Sequence, residues 1–398
     1  MTNRSAFLVA FVWTFVTGDA LAQPVTLAHV RAAVAEQADA VASAKDDIVA
    51  VQRDGQAKAR WDDPVVLANV DRLGDDLEWT LGVRQTFPLT GTPSAQKLAG
   101  DADAKSLEAS AQVQQRDLMF TALQLYLDAL LEARRGELLA MRLNLMSDAT
   151  QLVQSRVTAG DASAFELEWI ERERRKLDLD VKASQVALRT RLAHLSGLAP
   201  LDFSQGVHDE FRATCSSDLD APLEDEVFRR EAAAAQAHQA VVESEWLPAI
   251  SVEAGWRAAQ TSTYESGDQL LQGFVIGLEV ALPLWSGNDL RRDAAEARGA
   301  AVQTRQAIFQ RQREARLTGL KHACEAAVVA KQERLAAAAL SETLRARART
   351  GYEAGELTLV EWLSADAAAL EDQMSALEAE HHASSVSLEL SRWTGDNT

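Results

Sequence analysis

The sequence contains two related stretches, Phe87-Pro88-Leu89-Thr90-Gly91 and Leu282-Pro283-Leu284-Trp285-Ser286-Gly287. Each one ends a run in which apolar residues alternate with polar residues, and each one precedes a long segment with helical character. Pro88 and Pro283 are 195 positions apart. The two stretches therefore indicate that one structural unit occurs twice in the chain.

A second pair of stretches has the same offset. Arg156-Val157-Thr158-Ala159-Gly160 is followed by Ala164-Phe165-Glu166, and Gly351-Tyr352-Glu353-Ala354-Gly355 is followed by Leu359-Val360-Glu361. Gly160 and Gly355 are again 195 positions apart. Equal offsets at two distant landmarks favour a duplication, and the period is too long for a solenoid repeat.

The repeat predicts a division of the chain into four parts. Residues 1–22 are a predicted signal peptide, 23–198 the first repeat, 199–221 a linker, and 222–398 the second repeat. Each repeat is expected to contain a helix, a β-hairpin and long helices, in that order. The linker contains Pro, Asp, Ser and Gly and has no period.

The N-terminus has the three regions of a signal peptide. Arg4 gives a positive start, Ala6 to Val16 is apolar, and Ala20-Leu21-Ala22 resembles a cleavage site. The alternative is a membrane anchor, but the apolar run is shorter than the roughly 20 residues that cross a bilayer. We therefore expect export and cleavage.

Alternation with a period of two predicts strands at 65–70, 77–84, 250–257 and 274–280. Helices are predicted at Leu27 to Gln52 and at Leu223 to Glu245. Ser94 to Val157 contains no Pro and is predicted to be one long helical segment. In the second repeat, Leu363, Leu370 and Leu377 keep a seven-residue spacing that is typical of helices packed side by side.

Composition excludes several classes of function. The formal net charge of -19 disfavours binding to nucleic acid and suits a solvated, cation-attracting surface. The sequence has no P-loop, dinucleotide-binding glycine run or nucleophile elbow, and its histidines are scattered. We therefore predict a protein that is not an enzyme and that has no cofactor and no metal site. Cys215 and Cys324 could form a disulfide in an oxidising compartment or remain two free thiols.

No segment after residue 22 approaches the length of a transmembrane helix. A membrane location would therefore require strands, yet four strands are too few to close a barrel, and open sheet edges are not tolerated in lipid. Copies of the chain would have to pool their strands. Aromatic residues cluster in or beside the predicted strands, as in an interfacial girdle or, alternatively, the core of a soluble two-sheet protein: Trp61, Trp79, Phe87, Trp246, Trp256, Phe274 and Trp285.

The doubled order of strands and helices, the Leu-Pro-Leu-Trp-Ser-Gly segment and the Gly-Tyr-x-x-Gly-Glu segment resemble TolC-type outer-membrane efflux channels. The resemblance implies a mainly α fold with duplicated strand–strand–long-helix halves. It also implies a homotrimer whose twelve-stranded membrane β-barrel continues as an α-helical tunnel in the periplasm. The short first hairpin and Pro64 are similar to the heavy-metal cation-efflux branch of that family, which would imply a role in heavy-metal resistance.

The resemblance also implies partners: outer-membrane lipid, a periplasmic adaptor (membrane fusion) protein and an inner-membrane pump. By position, the turns near Gly160 and Gly355 match the adaptor-docking tips of the family. The residues so implied are Arg156, Gly160, Ala164, Phe165, Gly351, Tyr352, Gly355 and Leu359. Candidates for acidic groups at the tunnel entrance are Asp161, Glu361 and Asp366.

The predicted function is a passive exit duct in the outer membrane for solutes, metal cations among them, that a pump delivers. One alternative is a periplasmic coiled-coil adaptor or scaffold, which would be expected to have a single helical hairpin instead of two equal halves. Another alternative is an outer-membrane duct for type I protein secretion. The sequence does not identify the cargo.

Overall fold

The computed structural model describes residues 24–36, 38–73, 76–88, 91–204, 206–209, 213–215, 222–245, 249–263, 267–281 and 287–394. The predicted signal peptide and the Leu282 to Ser286 stretch lie outside these residues. The mainly α fold, in which pairs of strands precede long helices, is confirmed.

The elements follow one another in an order that alternates hairpins with long helices. The first part of the chain contains α1 (Leu27–Glu36), α2 (Ala38–Lys58), β1 (Val65–Leu73), β2 (Asp76–Pro88), α3 (Thr92–Ala159) and α4 (Ala164–Leu198). The second contains α5 (Leu223–Ser244), β3 (Ala249–Thr263), β4 (Gly267–Ala281), α6 (Asn288–Glu353) and α7 (Leu359–Thr394). Every predicted strand is present and extends beyond its predicted range.

Contacts divide the chain into two compact units. One contains Met1–Ala33 and Leu125–Glu210, and the other contains Val34–Gln124 and Phe211–Thr398. This grouping differs from the two sequence repeats, and the predicted repeat boundaries stay a prediction.

The smaller unit is organised around the start of the described chain. Val25 forms a parallel bridge with Val207, and the buried Tyr126 hydroxyl donates a 3.1 Å hydrogen bond to the Val25 carbonyl. The Leu27 amide at the start of α1 donates to the Asp209 carboxylate at 3.2 Å. A segment near the N-terminus and a segment of the linker are therefore held together on α3.

The larger unit contains the sheet and the α6–α7 helical hairpin. Helix α6 has 66 residues, so it spans about 100 Å at 1.5 Å per residue. It packs along α7 and α5. Residues spaced by seven form the seam of the α6–α7 pair, as in a coiled coil. On α7 they are the buried Trp362, Ala369, Ala376, Ala383 and Leu390, and on α6 they include the buried Cys324, Ala338 and Tyr352.

The α6 seam also contains two basic residues, and each one has an acidic partner on α7. Lys331 Nζ lies 3.2 Å from Glu380 Oε1, and Arg345 Nη1 lies 3.8 Å from Asp366 Oδ1. These charges are largely withdrawn from solvent, so each one needs an opposite charge on the facing helix.

The two cysteines form a disulfide, which resolves the alternatives that the sequence left open. Cys215 of the linker is bonded to Cys324 on α6, with the two Cα atoms 5.9 Å apart. Next to it, Ser387 of α7 accepts a 3.0 Å hydrogen bond from the Thr214 amide and donates a 2.8 Å bond to the Thr214 carbonyl. The linker is thereby attached to both helices of the α6–α7 hairpin.

Candidate functional site

The sheet is a four-stranded antiparallel sheet in the order β1-β2-β3-β4. Its central pair joins β2 of the first repeat to β3 of the second, with Leu81 opposite Trp256 and Val83 opposite Ala254. Since successive side chains of a strand point to opposite faces, the register assigns each residue to one face. Strands β1 and β4 are the edges.

One face of the sheet is mainly apolar across all four strands, with Arg72, Gln85, Gln260 and Gln272 among its polar members. We call it the apolar face. Its members include Val66, Ala68, Val70, Leu77, Trp79, Leu81, Val83, Ile250, Val252, Ala254, Trp256, Phe274, Ile276, Leu278 and Val280. Most are exposed; Phe274 keeps 85% and Ile276 keeps 82% of its surface. A continuous exposed apolar surface of this kind marks a site that another apolar phase or another protein covers.

Aromatic residues lie at separate levels of this sheet. Trp61 packs edge-on against Phe87 at one end, with ring centroids 5.4 Å apart. Trp256 contacts Phe274 in the same way at 4.9 Å, and Trp79 lies near the β1–β2 turn. Phe87 and Trp79 are eight residues apart on β2, which is about 26 Å along a strand. Trp246 and Trp285 lie outside the described residues.

The opposite face of the sheet contains its charged pairs, together with glycines, small polar residues and a few apolar residues, among them Val65, Leu67, Leu271 and Val275. We call it the polar face. Arg84 of β2 donates to Glu253 of β3 at 2.9 Å, and its Nη1 lies 3.5 Å from Glu279 Oε2 on β4. Arg257 of β3 pairs with Glu78 of β2. Ion pairs therefore cross three strands on this face, while the other face is mainly apolar.

The turn between α3 and α4 has the geometry of a Schellman C-cap. Gly160 has φ 86°, a left-handed conformation that disfavours residues with a Cβ. The Asp161 amide donates to the Arg156 carbonyl at 2.8 Å, which closes the helix end. Helix α4 then begins at Ala164, and the Ser163 hydroxyl caps it by accepting a 3.2 Å bond from the Glu166 amide.

The turn between α6 and α7 repeats this geometry at the equivalent positions. Gly355 has φ 74°, and the Glu356 amide donates to the Gly351 carbonyl at 2.8 Å. Thr358 and Glu361 form a complete capping box: the Glu361 carboxylate accepts from the Thr358 amide at 2.7 Å. The Thr358 hydroxyl accepts from the Glu361 amide at 3.3 Å.

The sequence analysis missed these caps, although the signal was present. Ser163 and Thr358 each precede a glutamate by three residues at the start of an apolar helical pattern, which is the sequence signature of a capping box. Together with the glycines, they fix the start and end of each turn. The two turns are therefore built from the same parts.

The residues predicted for adaptor docking differ in their exposure to solvent, and they fall into three groups. Gly160, Ala164, Phe165 and Gly355 are exposed, and Phe165 keeps 73% of its surface. Tyr352 and Leu359 are buried, and the Tyr352 ring stacks on Trp362 at 5.0 Å. Arg156 and Gly351 are partly buried and supply the carbonyls of the two caps. Val360, at the end of the second predicted turn, is the equivalent of Phe165 and is 53% exposed.

The three predicted entrance carboxylates lie in different surroundings. Asp161 is exposed in the first turn. Glu361 is exposed but bound in the capping box, and the hydrogen bonds from the Thr358 amide and hydroxyl lower its pKa. Asp366 is buried against α6, with Arg345 beside it. Their role at a tunnel entrance stays a prediction.

Two features are absent from the described residues. No cluster of three or more His, Cys, Asp or Glu side chains in this part of the chain is arranged to hold a metal ion. None of the helices in the described ranges combines the length and the apolar character that crossing a membrane requires.

The fold is similar to that of several solved membrane proteins. A membrane protein from Pseudomonas aeruginosa matches with a TM-score of 0.75 and 15% identity, covering 93% of each chain. The outer membrane protein VceC from Vibrio cholerae matches with a TM-score of 0.73 and 16% identity, covering 93% of this chain and 96% of its own. The CmeC outer membrane channel from Campylobacter jejuni matches with a TM-score of 0.73 and 12% identity, covering 93% of this chain and 85% of its own.

No protein-family profile matches the sequence, and no curated protein matches it. The structural similarity nevertheless covers nearly the whole chain. The TolC-like fold predicted from the doubled motifs is therefore confirmed as a fold.

Proposed function

We propose that this chain is one protomer of a homotrimeric channel in the outer membrane, with its long helices in the periplasm. In this proposal the channel is the passive exit duct of a tripartite efflux system. An inner-membrane pump supplies the energy and a periplasmic adaptor links the two. The observation that carries the proposal is the sheet, which has one exposed and mainly apolar face, one face with the charged pairs, and two edge strands that each pair on one side only.

The two faces suit a wall between lipid and water. A transmembrane strand needs about 9–11 residues, and the four strands have 9, 13, 15 and 15. Lipid-facing and lumen-facing residues alternate in such strands, as the apolar and polar faces do here. The separation of Phe87 and Trp79 suits aromatic girdles at two interfaces, which we propose together with Trp61, Trp256, Phe274, Trp246 and Trp285.

The edges of the sheet support an assembly of several copies. Strands β1 and β4 each leave one row of backbone groups unpaired within the sheet, and such groups are costly in lipid. Joining β4 of one copy to β1 of the next satisfies them without a new element. Three copies give twelve strands, enough to enclose a pore, whereas two copies give eight, which side chains usually fill.

The turns near Gly160 and Gly355 are the proposed adaptor-docking tips. Their matching caps hold an exposed apolar side chain at the equivalent position of each turn, Phe165 and Val360. The buried Tyr352 and Leu359 support the second turn from inside. Asp161, Glu361 and Asp366 remain proposed acidic groups near the tunnel entrance.

The cargo is proposed only by class. Metal cations follow from the resemblance of the short first hairpin to the heavy-metal branch, and β1 and β2 are shorter than β3 and β4. A deletion strain tested for metal tolerance, drug tolerance and protein export separates metal efflux, drug efflux and type I secretion. Loss of protein export alone would contradict the efflux proposal.

Cell fractionation tests the location. The full-length chain is expected in the outer-membrane fraction, as an oligomer that dissociates on heating. The adaptor or scaffold alternative predicts recovery in the soluble periplasmic fraction. That result would contradict the channel proposal, in which lipid covers the apolar face of the sheet.

A further inference from the structure

We propose that Cys215 is the residue on which a periplasmic thiol oxidase acts, and that Cys324 completes the disulfide when the linker docks on the α6–α7 hairpin. The partner is a dithiol–disulfide oxidoreductase, defined by a disulfide of its own that exchanges with thiols. The inference rests on the proposed function for location alone, because an outer-membrane protein crosses the periplasm, which oxidises thiols. It adds a reaction, a class of enzyme and the order in which the two cysteines react.

The two cysteines differ in their access to solvent and in the structure around them. The Cys324 side chain is fully buried, near the middle of the 66-residue helix α6. Cys215 is partly exposed, and the described segment 213–215 that contains it has neither helix nor strand. An exchange reaction requires direct access to a sulfur atom, and an extended segment can lie along the surface of another protein. Cys215 is therefore the cysteine that suits an oxidase.

The order of the cysteines along the chain leads to the same assignment. The whole sequence contains two cysteines, and Cys215 precedes Cys324 by 109 residues. A chain made and exported from its N-terminus presents Cys215 first, and synthesis at ~5–20 residues per second makes the interval about 5–20 s. During that interval the chain offers no second cysteine to react with a bond formed at Cys215. A mixed disulfide with the oxidase therefore persists until Cys324 arrives.

The reaction consists of two thiol–disulfide exchanges. The Cys215 thiolate attacks one sulfur of the oxidase disulfide, which forms a mixed disulfide and releases the second oxidase cysteine as a thiolate. The Cys324 thiolate then attacks the Cys215 sulfur, which forms the native bond and releases the first oxidase cysteine as a thiolate. The two thiols of this chain lose two electrons and two protons in total. The oxidase disulfide gains two electrons, and its two thiolates take up two protons.

Hydrogen bonds beside Cys215 position it for the second exchange. The Ser387 hydroxyl of α7 accepts from the Thr214 amide at 3.0 Å and donates to the Thr214 carbonyl at 2.8 Å. Ser387 is buried, so one fixed hydroxyl holds both backbone groups of the residue next to Cys215. The hairpin that provides this hydroxyl also contains Cys324. Ser387 is therefore a positioning residue for closing the disulfide.

The test traps mixed disulfides of the full-length chain during export. Cells are acidified and then treated with an alkylating agent, which stops exchange, and non-reducing gels with mass spectrometry identify the partner. Cys324→Ser is expected to accumulate a reductant-sensitive adduct between Cys215 and an oxidoreductase, whereas the matched control, Cys215→Ser, loses that adduct. This readout precedes folding, so it does not depend on the stability of either variant. Equal adducts on both variants, an adduct on Cys215→Ser alone, or no adduct on either overturns the inference.

A second measurement addresses the docking contact. In a chain with both cysteines, Ser387→Ala is expected to lengthen the lifetime of the Cys215 adduct in a pulse-chase experiment. Ser391→Ala is the matched control and keeps the wild-type lifetime, because its hydroxyl bonds to the Leu388 carbonyl within α7. Equal lifetimes in the two variants would remove the positioning role from Ser387.

Cell fractionation of the same samples separates this inference from the proposed function. An outer-membrane oligomer whose chains give no adduct during export overturns the inference and leaves the channel intact. A chain that forms the adduct and the native disulfide, but is recovered only from the soluble periplasmic fraction, contradicts the channel and supports the order of oxidation.

Discussion

Gly82 on β2 lies directly opposite Gly255 on β3, where strands from the two repeats pair. A Cβ atom at Gly255 would lie 2.8 Å from the Leu81 carbonyl oxygen and 3.0 Å from the Gly82 Cα. Both neighbours are backbone atoms, which have little freedom to move. The absence of side chains at this pair is therefore a condition for joining the two hairpins into one sheet.

Substitution of Gly255 is expected to weaken the sheet. Gly255→Val forces the backbones of β2 and β3 apart and is expected to lower the free energy of unfolding by about 1–3 kcal/mol, as overpacking does elsewhere. The measurement is the temperature at which the oligomer dissociates. Gly273→Val on β4 is the control, because a Cβ there meets nothing within 4 Å. Equal effects at both sites would contradict the close-approach explanation.

A second close approach joins α2 to α3. A Cβ at Gly100 would lie 2.7 Å from the Gly55 Cα, so Gly100→Ala is expected to lower stability despite the better helix propensity of alanine. Gly319→Ala on α6 meets nothing within 4 Å and is expected to raise stability by about 0.5–1 kcal/mol. Thermal unfolding followed by circular dichroism compares the two. A gain in stability at Gly100 would show that the helices separate without cost.

The Cys215–Cys324 disulfide joins residues 109 positions apart. A covalent bond that closes a loop of this length restricts the unfolded chain. The double variant Cys215→Ser, Cys324→Ser is therefore expected to lower the free energy of unfolding by about 2–4 kcal/mol. Chemical unfolding with and without a reductant measures the difference. The reductant should destabilise the wild type to the level of the double variant and leave that variant unchanged; equal sensitivity in both chains would contradict this account.

The capping box at Thr358 makes the stability of the second turn depend on pH. Hydrogen bonds from Thr358 lower the pKa of Glu361 in the folded chain, so the unfolded chain holds the proton more tightly. The stabilisation is therefore present above the ordinary glutamate pKa and is lost as the pH falls through the lower, folded pKa. Hydrogen exchange at the start of α7 should be slower in the wild type than in Glu361→Gln near neutral pH. The two rates should converge in acid, and a constant difference would exclude the carboxylate as the cause.

Phe165 and Val360 are predicted to contact the adaptor. Phe165→Asp and Val360→Asp place charges on exposed apolar positions, so each is expected to reduce export strongly while the oligomer and its conductance stay normal. Export in a complemented deletion strain and co-purification with the adaptor provide the measurements. Leu179→Asp is the control, since this exposed leucine lies on α4 away from the turn. Normal export in both turn variants would remove these tips from the docking surface.

Much of the fold could be predicted because its signals are periodic and repeated. Alternation identified the strands, and the absence of proline from Ser94 to Val157 identified most of α3. The equal offset of Gly160 and Gly355 identified two turns that share one backbone conformation. These features are set by residues that are close together in the sequence, or by a repeat of them, so one sequence is enough to recognise them.

Other features depend on contacts that the local sequence does not display. The pairing of β2 with β3 joins residues far apart in the chain, so the positions of Arg84 beside Glu253 and of Gly82 beside Gly255 follow only from the register. The Cys215–Cys324 bond is similarly long-range. Leu363, Leu370 and Leu377 suggested a seam on α7, yet Ala369, Ala376 and Ala383 are more completely buried, because small side chains allow close helix packing.

The central claim is that the sheet of one chain is completed by copies of the same chain within the outer membrane. Native mass spectrometry of the detergent-solubilised protein, purified from the outer-membrane fraction, tests it most directly. The proposal predicts a particle of three identical chains. Single chains recovered from the soluble periplasmic fraction would contradict it.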